Sequence, residues 1–458
     1  MTVIVQQPTD SNGNPQPMVY DSDTKKIIVD SNGFIVSGGQ KLVNVPSKGD
    51  YVSTAKTQTA GIQEAINYVF NNGCGKIVMN DGLYDITDAP FKNVGYNNYA
   101  QLTLPQNTNT SPVVNIAIVG NNASRGGIEG GEPLDSFLGG VTIYSGQNPT
   151  DTSNSYSLFQ VGTSPGTINV TNINLYMDGI HFQTVAGSSM NAFNGYFLQS
   201  LELGSIYIDT NSTTEIPPDP NATFKPAGFT FPGGNSSAIT NVKFLGVVNY
   251  YYGIVMPTAH VSAQKIMVDF CVTGILLESE NYGAHIGVYD VQNTAIHITN
   301  VPSSGIPCKL QVGLIDCGDQ QTSGVYAYQY SIQDNSTSSD TAGMNIVAAL
   351  TSYQVTPAFS ITQYSKIDIK FLYLSPTTST PSVPSSGTAQ QNLNPYPVNV
   401  YVYGGDVTEI QITKSGTTYT VLSVSTAIAM SGQVYKLNPG DSIIITYSTA
   451  PDWEWLSD

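Results

Sequence analysis

A repeat of fixed length is the feature that most restricts how this chain can fold. The stretches GIVM, GILL and AIHI begin at Gly253, Gly274 and Ala295, and the two steps between them are equal (274 − 253 = 21 and 295 − 274 = 21). Each stretch is too short to bury its own apolar face, so its recurrence indicates a solenoid in which successive coils cover one another. The repeat therefore predicts one turn of a parallel β-helix, with a period of about 21.

The predicted coil contains three short strands and three turns. At the ~4.8 Å spacing of neighbouring strands, Ile254, Ile275 and Ile296 would form one interior ladder. The excursion VPSSGIPCK (301–309) lengthens the next step. From about residue 110 to 375, short β-branched and aromatic runs alternate with Asn, Gly, Ser and Pro, which is typical of an all-β fold.

The regions outside the repeat divide the chain further. Residues 1–50 contain two β-rich runs around Ser31-Asn32-Gly33, a hairpin signal, and are predicted to form an N-terminal β arm or attachment segment. The Pro/Ser/Thr-rich segment 376–395 is predicted to be a linker. Residues 396–458 return to strands with hairpin turns and predict a C-terminal antiparallel β-sandwich module. The β-helix would then span 51–375.

An amphipathic helix is predicted at the start of the β-helix. Apolar residues at helical spacing occur in TAGIQEAINYVFNNGCGKIVM, and Gly73 and Gly75 then end the helix. We predict a helix near 58–71, followed by a strand at KIVM.

Composition excludes several classes of partner. The 458-residue chain has a formal net charge of −17 and one arginine, Arg125, so it lacks the clustered cations that nucleic acid requires. Anionic polymers would need a bridging cation. No window reaches the roughly 20 apolar residues of a membrane span, and the first residues lack a basic leader with an apolar core. We expect a protein that is not transmembrane and is not exported by the general route.

The cysteines suggest no metal site. The four cysteines are Cys74, Cys271, Cys308 and Cys317. They form no CxxC pair, so the sequence does not predict a zinc site. Two alternatives stay open for Cys308 and Cys317: a local disulfide, or two buried thiols.

The predicted helix and the strand after it resemble a known family. The segment TAGIQEAINYVFNNGCGKIVMNDGLYDI resembles the N-terminal cap of the pectate-lyase-like right-handed parallel β-helix proteins, and NVKFLGVVNYYYGI resembles their coils. The resemblance covers roughly residues 50–375, and the right hand of the helix rests on it alone. The superfamily includes lyases, hydrolases, epimerases, phage tailspikes and adhesins, so the resemblance is specific for fold rather than activity. Because tailspike-like members associate as trimers, it also implies a homotrimer.

The catalytic patterns of the family's enzymes are incomplete here. Its pectate lyases use an arginine beside calcium-binding aspartates, whereas Arg125 lies in the Gly-rich loop ASRGGIEGGE. The DD pair and the GHG motif of polygalacturonase-like hydrolases are both missing.

Carboxylates provide the alternative catalytic candidates. Asp269 and Asp290 are one repeat apart (290 − 269 = 21), and Asp316 follows after the excursion. Stacked carboxylates would repel by about 1 kcal/mol in water and about 3–4 kcal/mol at an effective dielectric constant near 20. Such a column fits a bound cation such as structural Ca²⁺, a carboxyl group kept neutral by a raised pKa, or a glycosidase pair. It also fits aspartates that diverge into solvent at turns. With Asp178, these are the candidate catalytic residues, and no metal ligands are assigned.

Aromatic residues are the candidate glycan-binding residues. Tyr250, Tyr251 and Tyr252 are consecutive, so on a strand at least one ring is predicted to face solvent, where it could stack on a sugar. Trp453 and Trp455 would share one face of a strand, which suits a sugar platform or an apolar seam against another subunit.

Together these features favour a structural or adhesive β-helical spike or fibre protein of a virion or extracellular surface. Its partners would be a cell-surface polysaccharide or glycoprotein and other virion or surface subunits. The low-charge, Tyr/Asn/Thr-rich composition resembles surface proteins of viruses that infect acidophilic archaea. The alternatives are a polysaccharide-degrading glycoside hydrolase or lyase that uses paired carboxylates, and a purely architectural capsid or appendage subunit.

Overall fold

The fold is given by a computed structural model of the chain. The structure describes residues 35–37, 40–45, 58–95, 97–105, 112–120, 140–151, 153–161, 171–196, 198–211, 225–233, 239–257, 260–278, 283–301, 308–318, 320, 323, 327–336, 343–352, 355, 357–362, 365–372, 378–414 and 416–457.

The described residues form one α-helix and 30 strands. The helix is α1 (Ile62–Asn71). The first sixteen strands are β1 (Ile35–Ser37), β2 (Gln40–Val45), β3 (Cys74–Met79), β4 (Gly82–Asp85), β5 (Lys92–Gly95), β6 (Asn98–Thr103), β7 (Val114–Gly120), β8 (Val141–Ser145), β9 (Ser155–Val161), β10 (Thr171–Asp178), β11 (Ile180–Val185), β12 (Asn191–Tyr196), β13 (Leu198–Asn211), β14 (Ala227–Gly233), β15 (Ile239–Val248) and β16 (Tyr252–Met256). They continue with β17 (His260–Asp269), β18 (Thr273–Leu277), β19 (Gly283–Gln292), β20 (Ile296–Asn300), β21 (Cys308–Cys317), β22 (Tyr330–Gln333), β23 (Met344–Ser352), β24 (Phe359–Ser360) and β25 (Lys366–Phe371). The C-terminal strands are β26 (Ala389–Gln391), β27 (Val398–Lys414), β28 (Thr417–Leu437), β29 (Ser442–Thr449) and β30 (Asp452–Ser457).

The chain divides into two compact units, one up to Ile254 with 259–267 and the other formed by 255–258 and the chain from Val268 onward. In the first unit the chain alternates between two sheets. One sheet has the parallel order β2-β3-β7-β10-β13-β15, and the other has the parallel order β6-β9-β12-β14. Apolar side chains alternate with polar ones along these strands, so one face of each sheet is buried in the core.

The second unit continues the same pattern in its own strands. The order β19-β21-β23-β25 forms one parallel sheet, and β18-β20-β22-β24 forms the other. The described strands therefore confirm an all-β fold dominated by parallel pairing.

The predicted isoleucine ladder is wrong in register. Ile275 pairs with Ile298 rather than Ile296, so the step is longer than the sequence repeat (298 − 275 = 23). The cause is the connection between β18 and β19, which is two residues longer than the connection between β16 and β17 (283 − 277 = 6 and 260 − 256 = 4). The interior ladder of the second unit runs from Ile275 through Ile298 to Ile332.

The coil length also varies more than a constant period allows. The step between paired residues is 21 from Asn345 to Lys366 (366 − 345 = 21) but 36 from Cys308 to Met344 (344 − 308 = 36). The connections between equivalent strands differ in length, which costs little because the entropy of chain closure grows only slowly with length.

The helix predicted near 58–71 is confirmed, although it begins later, at Ile62. Gly61 precedes it with φ of 79°, a conformation that favours glycine. The helix buries its apolar stripe, and Gln63 attaches it to β6 by donating to the Thr103 carbonyl and accepting from the Thr103 N–H, both at 2.8 Å. The repeat of apolar residues at helical spacing therefore predicted both the helix and its buried face.

Near the N-terminus, β1 and β2 form an antiparallel pair, and β2 lies parallel to β3. The predicted turn at 31–33 lies outside the described residues, and the assignment of 1–50 to an arm stays a prediction.

The C-terminal strands form a five-stranded antiparallel sheet in the order β26-β29-β27-β28, with β30 also paired to β27. Strand β27 changes partners along its length, pairing with β30 before Gly404 and with β29 from Asp406 onward. Gly404 and Gly405, at φ of 69° and 66°, form the break between the two halves. Residues from both halves, including Val400 and Ile410, share one apolar core.

The described part of the predicted linker 376–395 is attached to this sheet rather than free. The Pro381 carbonyl accepts the Trp453 Nε1–H at 2.7 Å, and the Pro384 carbonyl accepts the Tyr447 hydroxyl at 2.7 Å. Proline lacks an N–H but keeps its carbonyl, so a Pro-rich segment can still accept bonds from a neighbouring sheet.

Candidate functional site

Asp290 and Asp316 are brought side by side. They are paired residues of the parallel strands β19 and β21, and both are partly buried. Asp269 has a corner role instead, because its Oδ1 accepts the Phe270 N–H at 2.8 Å and the Asn293 Nδ2–H at 3.1 Å. The structure therefore places Asp290 and Asp316 at paired positions of neighbouring parallel strands and places Asp269 at a turn.

Asp178 lies at the end of β10 in the first unit, apart in sequence from the other three candidates. Its Oδ1 accepts the Ser205 N–H at 2.7 Å, and its Oδ2 accepts the Tyr176 hydroxyl at 3.1 Å. Both oxygens are therefore engaged with the protein, which favours a positioning role for Asp178.

The three consecutive tyrosines differ in exposure. Tyr250 is 1% exposed, and its hydroxyl lies 2.8 Å from Thr184 Oγ1 in the interior. Tyr251 is also buried, with Lys225 Nζ 4.9 Å from its ring centroid. Only Tyr252 is partly exposed, so Tyr250 and Tyr251 present no ring face to a sugar.

Trp453 and Trp455 are 6% and 1% exposed and belong to the core of the C-terminal sheet. Their rings pack edge to face with centroids 5.6 Å apart. The two residues share a face of β30, as predicted from their spacing, but their own module covers that face. Neither ring is available as a sugar platform or as an exposed seam.

Cys308 and Cys317 are not a disulfide. They are the first and last residues of β21, and all four cysteines are free. Nine strand steps at about 3.3 Å separate them by roughly 30 Å, far beyond the reach of a disulfide. The described residues contain no group of three or more His, Cys, Asp or Glu side chains that could hold a metal. In the described part of the chain, no helix is long and apolar enough to span a membrane.

A depression in the outer face of the first unit's parallel sheet is a candidate ligand site among the described residues. It has a volume of about 230 Å³ and crosses the four neighbouring strands β3, β7, β10 and β13. Its polar lining consists of Asn115, Asn174, Tyr176, Ser200 and Glu202. We call this depression the outer-sheet groove.

Strand register produces the polar row of the groove. Asn115, Asn174 and Ser200 are paired neighbours on β7, β10 and β13. Asn174 Nδ2–H donates to Asn115 Oδ1 at 2.9 Å, and the Ser200 hydroxyl donates to Asn174 Oδ1 at 2.7 Å. This chain of bonds fixes the orientation of the Asn174 amide and holds the row in place for a ligand.

The second row explains why the surface is concave. Lys76, Ala117, Tyr176 and Glu202 are paired neighbours across the same four strands. Ala117 has the shortest of these side chains and lies between Lys76 and Tyr176, so the groove opens above it. The apolar residues between the two rows point into the core and contribute only backbone to the lining.

Tyr176 is held as a neutral hydroxyl. Burial, the negative charge and hydrogen bond of Asp178, and the charge of Glu202 all raise its pKa. Its hydroxyl donates to Asp178, which leaves the phenolic oxygen able to accept a bond from a ligand. The groove therefore offers amide, hydroxyl and carboxylate groups beside an aromatic ring.

Such a lining suits a neutral polyhydroxylated ligand. Amides and hydroxyls can both donate to and accept from sugar hydroxyls, and a carboxylate such as Glu202 accepts from them. The same carboxylate, on a chain of net charge −17, disfavours an anionic ligand.

The groove residues were missed at the level of sequence. The alternation in VVNIAIVG, TNINLYMD and LQSLELGS does predict which residues face outward. It does not predict that these strands are neighbours, because Asn115, Asn174 and Ser200 are separated by unequal intervals (174 − 115 = 59 and 200 − 174 = 26).

Comparison of the chain with protein-family models, with curated proteins and with solved structures finds no significant match. The likeness to pectate-lyase-like proteins therefore rests on the quoted segments and on the parallel all-β architecture.

Proposed function

We propose that this protein is a structural and adhesive surface protein that binds a neutral glycan in the outer-sheet groove. The observation that carries the proposal is the pre-arranged row of Asn115, Asn174 and Ser200 beside the Tyr176 ring and Glu202. A hydrogen-bonded polar row keeps its geometry without a ligand, which lowers the entropic cost of binding.

The architecture is proposed to be a right-handed parallel β-helix with a C-terminal antiparallel β-sandwich module. Alternation of successive strands between two parallel sheets supports the helix, and the change of partners within β27 supports the sandwich. A place on a virion or cell surface, as a spike or fibre, is proposed from the uncharged polar composition. Partners there would be a cell-surface polysaccharide or glycoprotein and further surface subunits.

A glycan array that contains neutral, uronic and sulfated members tests this function. We expect binding to neutral members, with at least a tenfold loss in Asn174→Ala, because that change removes two bonds of the polar row. Gln311→Ala is the matched control, since Gln311 is an exposed amide on β21. Binding that is equal in wild type and Asn174→Ala, or that is confined to anionic glycans, would contradict the proposal.

A polysaccharide hydrolase is the second candidate, favoured by the paired carboxylates Asp290 and Asp316. Retaining glycosidases hold two carboxyl groups about 5–5.5 Å apart, a spacing that neighbouring parallel strands can provide. Mass spectrometry of the incubated array glycans tests this alternative. Cleavage products that disappear in both Asp290→Asn and Asp316→Asn would establish it, and the absence of products would remove it.

A further inference from the structure

Strand β28 is an edge strand of unusual length in the C-terminal sheet. It spans Thr417–Leu437, 21 residues, and among the described strands it pairs only with β27. Its second side therefore presents a row of backbone N–H and C=O groups to any strand that approaches. Natural edge strands are commonly protected by short length, proline or several charges. Strand β28 is long, contains no proline, and carries Lys436 as its one charged residue.

The apolar core of the sheet reaches this edge without being closed. Val407 and Ile412 of β27 are buried, yet their paired residues on β28, Ile428 and Tyr419, are 39% and 54% exposed. Val421 and Val434 of the same strand are also exposed. Side chains in register with a core normally continue that core, so Ile428 and Tyr419 form an apolar border that another strand would cover.

The charge of the chain indicates which protein would supply the covering strand. The chain has 33 acidic residues and a net charge of −17, so two copies repel each other over most of their surface. Residues 417–437 contain no Asp or Glu, and this edge without acidic residues is a surface on which two copies can meet. A basic partner would find no carboxylate on β28 to pair with, which favours a second copy as the occupant.

We propose that β28 is a self-association edge on which β28 of a second copy adds antiparallel, forming a two-fold dimer. Two identical edges related by a two-fold axis pair antiparallel, and each edge is then used, so growth stops at two chains. Pairing over half of the strand would form roughly ten hydrogen bonds, the number found in an ordinary protein interface. Tyr419 and Ile428 would continue the core across the contact. The proposal is independent of glycan binding, because the groove residues lie on β7, β10 and β13.

Sedimentation velocity and light scattering of the full chain over a range of concentrations test the proposal. We expect a species of twice 48.8 kDa. Ile428→Lys places a charge on each copy at the contact and should weaken the dimer at least tenfold. Tyr419→Lys is the second variant, since it places a charge at a second exposed position of the same border.

Val347→Lys is the matched control, because Val347 is a comparably exposed apolar residue on β23 and its change should leave the dimer intact. Thermal unfolding and circular dichroism verify that each variant is folded. A chain that stays monomeric at its highest soluble concentration would overturn the proposal. An oligomer that persists in folded Ile428→Lys and Tyr419→Lys, including a trimer, would overturn it as well.

Discussion

Asp178 occupies the space that a side chain at position 204 would need. A Cβ built on Gly204 would lie 2.1 Å from Asp178 Oδ1, because the two residues are neighbours on β10 and β13. We expect Gly204→Ala to lower the free energy of unfolding by about 2–3 kcal/mol through overpacking. Thermal unfolding measures the effect. In an Asp178→Ala background the same change should cost less, and purely additive costs would show that the two residues do not interfere.

Ala117 leaves open the space of the outer-sheet groove. Ala117→Leu should fill that space and abolish glycan binding, while the fold is kept because the side chain points away from the core. Ala349→Leu on β23 is the matched control, a partly exposed alanine in the parallel sheet of the second unit. Binding assays on the glycans selected by the array measure both variants. Full binding by folded Ala117→Leu would place the ligand elsewhere.

His297 makes the stability of the second unit sensitive to acid. Burial lowers its pKa to about 4, while a hydrogen bond with Gln320 acts in the opposite direction. His297 therefore stays neutral in the folded chain at pH values where it is protonated in the unfolded chain, whose histidine pKa is near 6.5. The stability that neutral His297 contributes is present above pH 6.5 and is lost as the pH falls toward 4. The loss should reach about 3 kcal/mol at pH 4.

Chemical denaturation across this pH range tests the prediction with two variants. His297→Gln should flatten the pH dependence between 6.5 and 4, whereas His285→Gln, at an exposed histidine, should retain it. An unchanged slope in His297→Gln would rule out this histidine as the cause.

Asp334 is the centre of a buried polar network. It accepts bonds from Ser336, Asn300 and Ser365, with the Ser336 Oγ and Ser365 Oγ both at 2.6 Å. Burial by itself would raise its pKa, but these hydrogen bonds outweigh burial and lower it. Asp334→Ala leaves several donors without an acceptor and should cost about 2–4 kcal/mol. In thermal unfolding, Asp368→Ala at an exposed position of β25 should stay within about 0.5 kcal/mol of wild type.

Thiol titration tests whether Cys308 and Cys317 are free thiols rather than a disulfide. Burial, with the nearby charge of Asp334, raises the pKa of Cys308 to about 11, and burial also raises that of Cys317. Both thiols should therefore react slowly with Ellman's reagent in the folded chain, after the partly exposed Cys74. In denaturant without reductant all four thiols should react. A count of two would reveal a disulfide.

The local spacing of apolar residues in the sequence determined the helix and the strands of this protein. The spacing of Ile62, Ala65 and Ile66 was sufficient for the helix, because helical periodicity depends on residues within two turns of each other. Alternation of apolar and polar residues was sufficient for the strands and for their buried faces, including the shared face of Trp453 and Trp455. Short β-branched and aromatic runs between turn residues likewise indicated an all-β chain.

Only the tertiary structure decided which strands are neighbours and in what register. Asn115, Asn174 and Ser200 meet although the sequence intervals between them are long and unequal. Ile275 pairs with Ile298 because the connection between β18 and β19 has two extra residues. Burial of Tyr250 and exposure of Ile428 were decided in the same way, by what packs against each strand. The physical reason is that loop closure depends only weakly on loop length, so sequence distance does not determine strand pairing, whereas side-chain packing across the sheet does.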